Sequence, residues 1–315
     1  MIEKINKSGR LTPPKFMWTY FACIGRSMWG KQLTELDFDY DVWQEMTERM
    51  AKGGLNVLVI DVAESLVYPS HPELRVKGSW EPERMRAEVD RLAKMGIMAV
   101  PKLNFSACHD DWLGEYSRML STPEYYKVCA DVIADLAKVF DKAPFLHLGH
   151  DEEEYLDQEP YDHVAIRQGE LWWHDVLFTI DEARKGGFRP WVWADPVWFK
   201  KEEYLRRMPK DVLQSNWYYF TEFGGKPGDM MNAQRPQQAP YYKVLSDAGF
   251  EQVPCSSNYR IDENCALTAL HCRHVIKPEL LKGFMHTTWG ATAKRQREKI
   301  MKGVAQLVAV KRALG

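Results

Sequence analysis

The chain has 315 residues, 45% of them hydrophobic and 27% charged, which suits a large buried core and excludes disordered, collagenous and coiled-coil classes. Lysine and arginine total 42 against 44 acids, and a net charge of -2 leaves no basic field to gather a nucleic-acid backbone. No run reaches the ~18 apolar residues of a membrane span, and Met1 to Pro14 lacks an apolar signal core. As it stands the chain reads as soluble and cytoplasmic, without nucleic-acid or membrane partners, although a trimmed leader would leave no trace.

Short β-branched and aromatic runs alternate with longer amphipathic stretches along the whole chain, the pattern of a parallel sheet with helical crossovers. The expected strands are Phe16 to Cys23, Asn56 to Val62, Met98 to Asn104, Phe145 to Gly149, Pro190 to Ala194, Val212 to Trp217, Glu251 to Ser256 and Gly283 to Thr288. Helices are expected over Tyr40 to Lys52, Glu83 to Met95, Pro123 to Phe140, Glu170 to Lys185 and Arg295 to Leu314, with Gly53, Gly96 and Gly186 as C-terminal caps.

Eight strand-helix units without a linker predict a single-domain α/β protein, a (β/α)8 TIM barrel over residues 1–315. A doubly wound open sheet is the alternative. Neither a Gly-x-Gly-x-x-Gly after the first strand nor a phosphate-binding loop is present, so no cofactor is expected. The irregular connection Phe220 to Gln238 would overhang the C-terminal face as a lid or wall. It is long enough to cover its own site or to reach a neighbouring subunit, which leaves a homo-oligomer open. The six cysteines are scattered, without Cys-x-x-Cys pairs, and read as reduced, buried thiols.

In a barrel, polar residues at the C-terminal strand ends carry the chemistry. The densest such group is His147-Leu148-Gly149-His150-Asp151-Glu152-Glu153-Glu154 after the fourth strand. Adjacent, partly desolvated carboxylates repel each other, so one can hold a proton and act as a general acid. Glu153 and Glu154 read as a solvated lead into a helix. Strand alternation places His147 inside the barrel with Gly149 and Asp151. No metal site is assigned, although His147, His150 and Asp151 are the set a metal-dependent sugar isomerase or lyase would use. The seventh and eighth strand ends, Ser256-Ser257-Asn258-Tyr259 and Thr287-Thr288-Trp289-Gly290, supply no carboxylate nucleophile. That gap fits glycosidases in which the substrate's own 2-acetamido group attacks. Twelve tryptophans fit a sugar cleft, with Trp29, Trp43 and Trp80 left to the core.

These motifs resemble glycoside hydrolase family 20, the β-N-acetylhexosaminidases. His147-Leu148-Gly149-His150-Asp151-Glu152 is similar to the family's His-x-Gly-Gly-Asp-Glu, and weaker echoes follow in the family's order. They are Arg26, Leu55-Asn56-Val57-Leu58, Pro72-Glu73-Leu74 with Lys77-Gly78-Ser79, His109, Trp193-Ala194-Asp195, Asn216-Trp217-Tyr218 and Thr288-Trp289-Gly290. The resemblance implies a carbohydrate substrate, a terminal β-linked N-acetylhexosamine or a related sugar, cleaved with retention. Glu152 would be the acid, Asp151 would orient the acetamido N–H, and Tyr218 would hold its carbonyl. Trp193, Trp217 and Trp289 would wall the pocket, and Arg26, Glu64, His109, His147, His150 and Asp195 would complete it. The sequence departs from the family at His150 in place of Gly, Ala291 in place of Glu, Lys102 and Asn104 in place of acids, Asp61 in place of His and Glu64 in place of Asp. His150 would narrow or reshape the site. A sugar-binding barrel that has lost its activity is the reading from another class.

Overall fold

The computed structural model describes residues 9–231 and 236–314. Eight parallel strands form the sheet: β1 (Met17–Cys23), β2 (Val57–Asp61), β3 (Met98–Lys102), β4 (Phe145–His147), β5 (Arg189–Trp193), β6 (Leu213–Ser215), β7 (Cys255–Ser257) and β8 (Gly283–Ala291). Pairing runs in chain order from β1 to β6, while β8 joins β1 to β7. Bridges from Gln214 to Gln252 and from Trp217 to Cys255 span the remaining seam and close the ring. This is the expected (β/α)8 barrel, and its strands, buried on both faces, are the apolar runs of the sequence.

Helices α1 (Tyr40–Gly53), α2 (Pro82–Lys94) and α3 (Pro123–Val139) follow the first three strands. The fourth is followed by α4 (Tyr155–Gln158) and α5 (Gly169–Lys185), and the fifth by α6 (Pro196–Phe199) and α7 (Lys201–Arg207). Then come α8 (Tyr241–Asp247), α9 (Asn264–Val275) and the closing α10 (Arg297–Leu314). Among the described residues no helix is long and apolar enough to cross a membrane. All six cysteines are buried and unpaired.

Two local expectations need correction. Helix α5 is capped by Gly186 as expected, but α1 is capped by the left-handed Gly54, one position beyond Gly53. Gly53 serves packing instead, because a Cβ there would lie 2.2 Å from the Val308 side chain of α10. The seventh strand begins at Cys255 rather than Glu251, since Pro254 has no N–H to donate and interrupts the ladder. The ends of β3, β4, β6 and β8 then open on one face, where the candidate residues gather.

Candidate active site

Beyond β4 the backbone winds through the left-handed region at Gly149 (φ 75°), His150 (φ 66°) and Glu152 (φ 54°). Only glycine fits at 149, where a Cβ would stand 1.8 Å from Asn104 Oδ1. At 150 histidine tolerates the conformation better than a branched residue would, at a cost of ~1–2 kcal/mol. This winding carries the His150 ring away from the barrel mouth, so that Nε2 lies 2.9 Å from Thr179 Oγ1 on α5. His150 therefore does not narrow the site. His147 is wholly buried between Trp191 and Trp193, as alternation predicts, and burial, with the nearby charge of Lys102, drives its pKa well below the usual value.

The same turn presents Asp151 and Glu152 to the end of β3. Asn104 Nδ2 donates to Asp151 Oδ1 at 2.8 Å, and Asn104 Oδ1 accepts from the His150 N–H at 3.3 Å. His109 Nε2 lies 3.2 Å from Glu152 Oε2 and 3.5 Å from Asp151 Oδ2. Burial opposes protonation of that imidazole, but Asp151 and Glu152 outweigh it and raise its pKa. The backbone N–H of Glu152 donates to Asp195 Oδ2 at 3.2 Å, and Trp217 Nε1 donates to Asp195 Oδ1 at 2.7 Å. Burial and the neighbouring Asp151 and Glu152 charges push the Asp195 carboxyl well above the carboxylate range. Asp195 thus ties the candidate acid's backbone to a cavity-wall indole.

A cavity of about 480 Å³ opens over these groups. Of the residues expected there, Arg26, His109, Asp151, Glu152, Trp217 and Trp289 line it. Glu64 lies behind the wall, where its carboxylate accepts from the backbone N–H groups of Arg26 (2.7 Å) and Ser27 (3.0 Å) and fixes the loop that carries Arg26. Trp193 is buried beneath Trp289, with ring centroids 5.7 Å apart. Tyr218 faces away and donates its hydroxyl to Glu222 O. Tyr219, one residue on, lines the cavity and stacks on Trp217 at 4.9 Å and 18°. Ala291 is buried in the β1 pairing and is absent from the lining.

Several lining residues escaped the sequence reading. Asp61 and Lys102, directly opposite in the β2–β3 register, form an ion pair of 2.6 Å with both side chains 2% exposed. Both line the cavity, so its wall includes a buried charge pair. Trp29, assigned to the core with Trp43 and Trp80, is 43% exposed and lines the mouth, whereas the other two are buried. The connection after β6, expected to overhang this face as a lid or wall, contributes Phe220, Met231 and Gln238; its residues 232–235 lie outside the described residues. Glu153, expected in solvent, is instead buried against Arg167 Nη2 (2.5 Å) and Trp172 Nε1 (2.8 Å). Arg167 also reaches Asp175 on α5, so this network anchors the far side of the turn that carries Asp151 and Glu152.

The metal set suggested by sequence does not converge, because the His150 ring meets Thr179 Oγ1 through Nε2 at 2.9 Å and Glu153 Oε1 through Nδ1 at 3.6 Å rather than Asp151. Among the described residues, the group able to offer three ligands to a cation is His109, Asp151 and Glu152, with ligand atoms within 4.8 Å of one another.

No protein-family model matches the sequence, and no curated protein matches it. Solved structures share its fold. The chain is similar to a β-N-acetylhexosaminidase from Bacteroides fragilis, with 13% identity and a TM-score of 0.63, over 93% of this chain and 66% of that one. For the family 20 exo-β-N-acetylglucosaminidase from Vibrio harveyi the identity is 12% and the TM-score 0.63, over 95% and 55% of the two chains. Dispersin B gives 11% and 0.61, over 94% and 99%. The chain thus spans roughly half to two thirds of the first two proteins and nearly all of Dispersin B. At these identities the likeness is one of fold, and it is the fold the sequence motifs imply.

Proposed function

We propose that the protein is a glycoside hydrolase that cleaves terminal β-linked N-acetylhexosamine, or a related acetamido sugar, by substrate-assisted catalysis with retention. The observation that carries this reading is the convergence of Asp151 and Glu152 on one nitrogen of His109, at 3.5 and 3.2 Å. Two carboxylates from adjacent residues of one turn, meeting one imidazole, stand on the same side of the cavity, which favours a shared role over the opposed acid and nucleophile of a two-carboxylate mechanism. The other lining carboxylate among the described residues, Asp61, is held by Lys102. The nucleophile is then the substrate's own acetamide oxygen.

Glu152 donates its proton to the glycosidic oxygen as the C1–O bond breaks and the acetamide oxygen bonds to C1. Asp151, kept in place by Asn104, accepts the acetamido N–H and stabilises the charge on the resulting oxazolinium ring. Water then opens that ring at C1 and returns a proton to Glu152. Tyr219, in place of Tyr218, offers the hydroxyl for the acetamide oxygen, while Trp217 and Trp289 wall the sugar and Arg26 meets its hydroxyls.

The test is hydrolysis of aryl β-N-acetylglucosaminide, β-N-acetylgalactosaminide and plain β-glucoside side by side. Cleavage confined to the acetamido sugars is expected. Cleavage of the plain glucoside at a comparable rate would refute the acetamido nucleophile, and sugar binding without cleavage of any would mark a barrel that only binds.

A further inference from the structure

Trp29 sits three positions beyond Arg26 in the loop leaving β1. Among the described residues no other tryptophan is exposed, and the backbone of Trp29 is left-handed, with φ at 63°. An exposed indole and a strained backbone both oppose folding, so the surroundings must impose this position. They do so through several independent ties. The Trp29 N–H donates to Cys108 O at 2.9 Å, and the Gly30 N–H donates to Asp111 Oδ2 at 2.8 Å. Gly30 itself is pressed against the Tyr161 ring, which would stand 3.1 Å from a Cβ at that position. The backbone that carries the indole is consequently fixed before any ligand arrives.

Its position relative to the acid decides what it meets. The Trp29 ring packs edge-on against His109 with centroids 4.5 Å apart, and His109 lies 3.2 Å from Glu152 Oε2. A general acid stands beside the bond to the leaving group, so the wall that continues from it faces the leaving group rather than the reacting sugar. The reacting sugar has its own aromatic wall in Trp217, Tyr219 and Trp289. Trp29 is therefore left to the group on the other side of the cleaved bond.

Resting on the glycosidase reading above, we propose that Trp29 is a pre-formed stacking platform for the aglycone, and that the substrate is a β-linked oligosaccharide whose second sugar lies on the indole. The C–H face of a pyranose ring matches a flat indole, and a platform already ordered loses little freedom on binding. Binding energy gained there acts on turnover as well as affinity, because it holds the scissile bond against Glu152.

The test compares kcat/KM on the β1,4-linked disaccharide of N-acetylglucosamine with that on its methyl β-glycoside, whose aglycone has no ring to stack. Trp29→Ala is expected to lower the ratio of the two by about tenfold or more, and Trp29→Phe, which keeps a smaller platform, by much less. An unchanged ratio in Trp29→Ala, whatever the absolute rates, would overturn the assignment and leave Trp29 as a support for His109. Wild-type protein that cleaves neither these glycosides nor their N-acetylgalactosamine counterparts would instead sink the glycosidase reading, and this inference with it; that result is read before any variant is made.

Discussion

Glu152→Gln is expected to cut kcat on a methyl or disaccharide β-N-acetylglucosaminide by a factor of ~10²–10⁴, the usual contribution of a positioned acid. Glutamine preserves the volume and can still meet His109, but has no proton to give. The loss depends on the leaving group. A nitrophenolate departs without protonation, so the same variant should lose much less on a nitrophenyl glycoside. An alkoxide cannot, and there the full loss appears. Steady-state kinetics on the two substrates read this directly. Equal losses on both would mean that Glu152 shapes the site without transferring a proton.

Asp61→Ala is the variant with the largest expected cost in stability, ~3–5 kcal/mol, because it strands the Lys102 ammonium in a buried site. The Lys102 side chain is 2% exposed, so solvent replaces the carboxylate poorly. Phe21, whose ring centroid lies 5.5 Å from Nζ, offers the charge far less than a carboxylate does. Pairing the change with Lys102→Met removes the stranded charge and should recover most of the loss, since well-packed apolar replacements of buried ion pairs are often neutral or better. Urea denaturation of the single and double variants measures both effects. A single variant within ~1 kcal/mol of wild type would show that Lys102 finds another partner or gives up its proton at little cost.

The barrel was legible because its strands are buried on both faces and therefore stand out as apolar runs between amphipathic helices. Asp151 and Glu152 were legible for a similar reason, as a cluster of acids at the end of such a run. Side-chain direction beyond the strand ends was not. The period of two that places His147 in the barrel applies only while the chain stays extended, and β4 stops at that residue. The left-handed steps at Gly149, His150 and Glu152 then turn His150 toward Thr179 on α5. β6 likewise ends at Ser215, so nothing in the pattern distinguishes Tyr218 from Tyr219, three and four residues later.

Trp29 and the Asp61–Lys102 pair were hidden differently. An indole in a polar loop carries no signal of its exposure, because most tryptophans pack in cores. A lone lysine on an apolar strand looks like a departure from pattern until the β2–β3 register sets it opposite an aspartate. Asn104 was visible only as a missing acid, yet it contacts Asp151 and the His150 backbone and fills the space that a Cβ at position 149 would need.

The central claim is that cleavage is a double displacement at C1, in which a nucleophile on the face opposite the leaving group attacks before water does; the plain-glucoside comparison identifies that nucleophile as the acetamide. Proton NMR of the first-formed sugar from an aryl β-N-acetylglucosaminide, recorded before mutarotation, tests it most directly. Two displacements at C1, one by the acetamide and one by water, predict that the β-hemiacetal appears first. The α-anomer appearing first would mean a single displacement by water, and would contradict the account.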